Sequence, residues 1–196
     1  SLGRRALIPA VAQAPPGIRL RNLWWVLAAL VVMVAAIVSQ RLWFLNFVHV
    51  FAGLLWTGTD LFMGLMLGPI LRRLDLPTRR AVLSRLMPQM LFYMPTLAIV
   101  TTTSGWYLGR QMGFLNVPYP YYWWLIASYV IVAILTVQGF GILLPTNLRV
   151  NFELQKEVPD VGKIQRWMRT YIRVVAMQGV TQVGIVIVMT RIATGL

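Results

Sequence analysis

Five stretches of this chain stay apolar for so long that they restrict the fold to helices crossing a lipid bilayer. They lie at about 22–39, 44–71, 91–109, 121–144 and 170–190. Runs of about 18 or more apolar residues are the signature of membrane spans, because inside hydrocarbon every backbone polar group must be satisfied within its own segment. Composition agrees: 58% of residues are hydrophobic and only 12% are charged, where a soluble domain carries about 25% charged residues. The sequence therefore predicts an all-α, polytopic bundle of five transmembrane helices. A single domain over 22–196 follows a Pro/Arg-rich arm over 1–21. Trp24 and Trp25 and the segment NVPYPYYWW at 116–124 suit headgroup depth, where amphipathic rings collect.

Net charge is +13. In a soluble protein such an excess would suggest nucleic acid. Here 15 of the 18 basic residues fall in three segments, the arm, 72–90 and 148–173, and the rest are Arg41, Arg110 and Arg191. Five spans put those three segments on one side of the membrane. The positive-inside rule makes that side cytoplasmic, with the amino terminus inside. The expected location is the cytoplasmic (inner) membrane of a bacterium. The expected partners are the bilayer, anionic lipids and other membrane subunits of a complex, with no nucleic acid. Within 72–90, Pro77-Thr78 is placed to cap a short helix with Val82, Leu83, Leu86 and Met87 on one side. That segment is either an interfacial amphipathic helix or a solvated basic connector.

Several chemistries are excluded. The chain has no cysteine and one histidine, which rules out disulfides and thiolate ligation and leaves no self-contained zinc site. No nucleophile–base pair, phosphate loop or pair of carboxylates stands out, so no catalytic residue is expected and an enzyme acting alone is disfavoured. Arg4 and Arg5 imitate a signal n-region, but Pro9, Pro15 and Pro16 break the chain before any apolar core of useful length, and no cleaved signal peptide is expected. A proline-rich terminus of this kind frays unless something holds it, so an ordered arm would point to a partner subunit.

The second run, Phe44–Leu71, carries the candidate site. It holds the only histidine, His49, and the only acid within an apolar run, Asp60. Eleven residues on a helix return the side chain to about the same direction, so both lie on one stripe, with Trp56 between them and Ala52 and Gly53 beside it. Gly64 and Gly68 follow at a spacing of four. Ionisable groups inside a span face protein, a cofactor or water. Counting depth from the span ends brings Thr102 and Gln182 level with Asp60, which predicts a buried polar cluster of Asp60, Thr102 and Gln182. The hydroxyls of 101–104 have a second reading, bonding back to their own helix. His49 has three readings: a hydrogen-bonded packing residue, an axial ligand to haem iron or chlorophyll magnesium, or a proton relay or quinone contact. For the ligand reading, Ala52 and Gly53 leave room beside His49 for a flat macrocycle and Trp56 lines its edge. The cofactor is then a haem, with bacteriochlorophyll or no cofactor as alternatives.

The residues HVFAGLLWTGTDLFMGLMLGPILRRL, 49–74, resemble the helix pattern of the small bacterial membrane proteins related to copper-resistance protein CopD and the HemJ-type protoporphyrinogen oxidases. The resemblance rests on a histidine followed by small residues, a tryptophan–glycine pair (Trp56 and Gly58, separated by Thr57) and a Pro/Leu/Arg-rich end. It implies a four- or five-helix bundle and, in the HemJ branch, haem b at His49. The lysine of the HemJ pattern has no counterpart within a span, since Lys156 and Lys163 lie in a loop. Three functions remain open. One is a haem-binding subunit for electron transfer or haem handling. Another is a non-catalytic accessory subunit of a respiratory or photosynthetic complex. The last is a transporter of copper or a small solute.

Overall fold

The computed structural model describes residues 23–195; the arm at 1–21 lies outside them, with Asn22 and Leu196. The described residues form five helical rods: α1 (Trp24–Val38), α2 (Leu42–Arg73), α3 (Leu76–Gln111), α4 (Tyr122–Leu154) and α5 (Val161–Ala193). A short 3-10 turn, Phe114–Asn116, interrupts the loop between α3 and α4. Three rods, α2, α4 and α5, are long and apolar enough to cross a membrane. The other two fall short for different reasons. The 15 residues of α1 reach only about 22 Å, and α3 is diluted by Pro88, Pro95 and the hydroxyl cluster at 101–104.

Four rods close a ring in the order α2–α3–α4–α5, and α1 packs outside it against α2 and α3. Two apolar cores fill the ring. One holds Leu45, Val48, Ala52 and Trp56 with Leu97, Val100 and Leu135. The other holds Met63, Leu71, Leu83 and Met87 with Val150, Met168 and Val175.

The second core corrects the expectation for 72–90. Arg72 and Arg73 end α2, and from Leu76 onward the segment is not a connector but the first part of the 36-residue α3. Leu83 and Met87 are fully buried there, because their stripe continues in phase into the following apolar run. The cap also lies earlier than expected. Asp75, not Thr78, starts the helix, its side chain accepting from the Thr78 amide at 3.1 Å. Asp160 starts α5 in the same way, accepting from the Lys163 amide at 3.0 Å.

Glycines set the approach of α2 to α5. A Cβ on Gly64 would stand 2.5 Å from the Ala176 Cα, and one on Gly68 the same distance from the Ile172 Cγ2. Gly179 in turn accommodates Leu61. This seam of small residues draws two antiparallel helices into backbone contact, where dispersion forces act over the shortest distances. Both α2 and α4 contain a widened π-helical stretch, Phe62–Leu67 and Val137–Leu143. Each runs up to a proline, Pro69 and Pro145. A proline ring collides with the carbonyl four residues earlier and gives it no hydrogen bond, and the wider turn relieves both problems.

Candidate functional site

Between the two cores lies a polar layer. On α2, Asp60 separates Trp56 of one core from Met63 of the other. On α4, Gln138 separates Leu135 from Leu143, and on α5, Gln178 and Gln182 follow Val175. Asp60 is fully enclosed, and Gln178 and Gln182 are almost so. The side chains of Gln178, Gln182 and Trp56 face the Asp60 carboxyl, with the Tyr171 ring beyond. Neither Asp60 oxygen meets the geometry of a hydrogen bond among the described residues, and the same holds for both polar atoms of Gln182 and for Gln178 Oε1. Asn147 lies beside Tyr171, and Asn151 lies one turn further along α4; each is buried and leaves one amide atom unpartnered.

So many unmatched donors and acceptors in one place are rare in a folded interior, where about 90% or more are paired. A carboxylate there requires a proton, a cation or several donors to offset its lost hydration. A cavity of about 30 Å³ opens on the layer between Trp56, Met94, Pro95, Asn147, Tyr171 and Gln178, room for about two waters. The π-helical stretches flank the layer: one begins two residues after Asp60 and the other contains Gln138. Such turns in membrane helices redirect side chains and often mark functional positions.

Of the three residues expected to cluster, the structure brings Asp60 and Gln182 together and leaves Thr102 out. The Thr102 hydroxyl donates to the Ala98 carbonyl of its own helix at 2.7 Å. It points away because 100° steps place it on the flank of α3 opposite Leu97 and Val100. Gln138 and Gln178, which spacing along the chain does not single out, belong to the layer, and Asn147 and Tyr171 line the cavity that opens on it. A signal for them exists in the sequence: amides spaced by four, Asn147/Asn151 and Gln178/Gln182, are unusual at the edge of, or inside, apolar runs.

His49 belongs to a different contact. Its Nδ1 lies 2.8 Å from the Thr101 carbonyl oxygen on α3. Since a carbonyl only accepts, Nδ1 carries the proton and Nε2 keeps its lone pair. The ring lies against Gly105, where a Cβ would come within 2.6 Å of it. Gly53 is also taken up: the position its Cβ would occupy is 3.4 Å from the Thr101 Cγ2. Ala52 and Trp56 are buried in the first core.

The donor chemistry of His49 therefore suits a haem or chlorophyll metal, but the space does not. The small residues expected to admit a macrocycle instead admit α3, so a tetrapyrrole inside the ring does not fit this packing. His49 is only half-buried, and its Nε2 has no partner among the described residues; a ligand to it would approach from outside the bundle. Among the described residues no group of three or more metal-ligating side chains comes together.

Set against known proteins, the chain matches no family model, and no characterised protein or solved structure shows significant similarity to it.

Proposed function

We propose that this chain is a five-span protein of the bacterial cytoplasmic membrane, amino end inside, that passes a proton or a small hydrogen-bonding solute through the polar layer around Asp60. One observation carries the reading: an enclosed carboxyl faced by the side chains of Gln178, Gln182 and Trp56, of which Gln178 and Trp56 also line a cavity of water size. Intramembrane acids arranged in this way are the usual stations of ion and solute paths. Support for five spans comes from α3, which completes the ring at the depth of α2, α4 and α5, and from the clustering of basic residues at one end. The test is reconstitution into vesicles loaded with a pH-sensitive dye, with an imposed potential. Wild-type protein is expected to carry protons and Asp60→Asn to abolish the flux. Equal flux in both, or none in either, would refute the proton reading; tritiated-water and small-amide uptake by the same vesicles then examine the solute.

A second reading is an accessory subunit carrying a tetrapyrrole at its outer edge, shared with a neighbouring chain. The free Nε2 of His49, fixed in tautomer by the Thr101 carbonyl, favours it. Its signature is a visible absorption band in the native complex that disappears in His49→Ala.

A further inference from the structure

At the end of the bundle where α2 finishes and α5 begins, a groove of about 400 Å³ opens between α2, α3 and α5. Arg72, Arg79, Arg169 and Arg173 line it, and among the described residues no carboxylate does. The ion pairs of the described residues are Lys156–Glu153 and Lys163–Asp160, so no arginine of the groove is neutralised by one. Asp75, which caps α3, lies near Arg79 and offsets part of that one charge. Four guanidinium groups around one hollow repel each other unless an anion lies among them.

Arg79 is also fixed in place. Its Nη2 donates to the Arg72 and Leu74 carbonyls, both at 2.9 Å, while its Nε is buried with no acceptor. The held guanidinium thus spends one nitrogen on the carbonyl end of α2 and keeps another donor in reserve. Apart from Gln165, the rest of the groove is apolar: Leu71, Leu83, Ile164, Met168 and Ile172. A charged rim over an apolar wall fits an amphiphile, not a free ion. Arginine matches phosphate oxygens in geometry and remains charged at any physiological pH.

We infer that this groove is a specific site for an anionic phospholipid, its phosphate among Arg72, Arg79, Arg169 and Arg173 and its acyl chains along the wall of α5. Basic hollows between membrane helices at the cytoplasmic end bind such headgroups. The site does not rest on transport through Asp60 and stands whether or not that reading holds.

The experiment is native mass spectrometry of the full-length protein released from micelles, titrated with phosphatidylglycerol, phosphatidylcholine or inorganic phosphate. Wild-type protein is expected to retain phosphatidylglycerol at least about tenfold better than phosphatidylcholine, and inorganic phosphate is not expected to displace it. In the double variant Arg72→Gln/Arg173→Gln the preference should fall to about onefold. Arg80→Gln/Arg85→Gln removes the same charge from side chains that do not line the groove and should keep it. Equal retention of the two lipids by wild-type protein overturns the inference whatever the variants do. So does an unchanged preference in the groove variant, or displacement by inorganic phosphate, which would make the site one for a free anion. If the groove variant does not fold, thermal stabilisation of wild-type protein by phosphatidylglycerol but not phosphatidylcholine decides the matter, and equal shifts count against the site.

Discussion

Replacing Gly64 with alanine adds one methyl group at the tightest point between α2 and α5. The new Cβ would stand 2.5 Å from the Ala176 Cα and 2.8 Å from both its nitrogen and its Cβ. Carbon atoms rest at about 3.5–4.0 Å, so the shortfall is about 1 Å or more. The obstructing atoms are mainly backbone and have no rotamer to adopt, so the helices themselves must part. Overpacking of this kind costs about 1–3 kcal/mol, and the better helix propensity of alanine returns at most about 1 kcal/mol. The net expectation is a loss of about 1–2 kcal/mol. Gly58 lies on the same helix with nothing within 4 Å of the corresponding position; Gly58→Ala should be neutral or stabilising by up to about 1 kcal/mol. Gly68→Ala should fall between the two, because its nearest obstacle is the Ile172 Cγ2, which a side-chain rotation can move. The assay is thermal unfolding in micelles, followed by the fluorescence of the eight tryptophans and by far-ultraviolet circular dichroism. A midpoint for Gly64→Ala equal to or above that of Gly58→Ala would refute the account of the seam.

Three further outcomes are expected from the same unfolding assay. Asp60→Asn, which keeps the shape and a hydrogen-bonding group, should leave stability near that of the wild type, whereas Asp60→Leu sets a branched apolar side chain against the enclosed Gln178 and Gln182 and should lose about 1–3 kcal/mol; a leucine variant as stable as the asparagine one would contradict the polar layer. His49→Ala removes the bond to the Thr101 carbonyl and should cost about 1 kcal/mol, while Gly105→Ala should disturb the same bond by displacing the ring, and no effect from either would count against the α2–α3 tie. The Thr78 hydroxyl and amide hold the Asp75 carboxyl below its ordinary value of 3.8, and the Lys163 amide does the same for Asp160. Because both folded values are depressed, their contribution is present above that ordinary value and is lost as pH falls below it. The contribution of the two caps should then be constant from neutrality to about pH 4 and fall away below, which gives Asp75→Asn/Asp160→Asn a shallower acid limb than the wild type; identical acid limbs would contradict the caps.

The five rods were legible because apolar length is a property of the chain alone. Their ends were less so. Arg79, Arg80 and Arg85 left 76–90 open between an amphipathic helix and a connector, and only the seating of Leu83 and Met87 inside the second core joins it to the run at 91–109. The stripe of His49 and Asp60 was also visible, but its partners depended on how the helices assemble. Helical period puts the two groups on one face of α2; only the order of the ring decides that His49 meets Thr101 on α3 and Asp60 meets Gln178 and Gln182 on α5. The π-helical stretches had no clear sequence mark beyond the prolines after them. Gly53 shows the same limit from the other side: a missing Cβ signals close approach but not what approaches, and here it is Thr101.

The position of α5 in the chain bears on how the protein is made. The helix that supplies Gln178, Gln182 and the Ala176 seat is synthesised after the four others. The Asp60 carboxyl is therefore enclosed only when the last helix of the chain has docked, so a chain ending before α5 should fail to close the polar layer whatever the state of its other four rods.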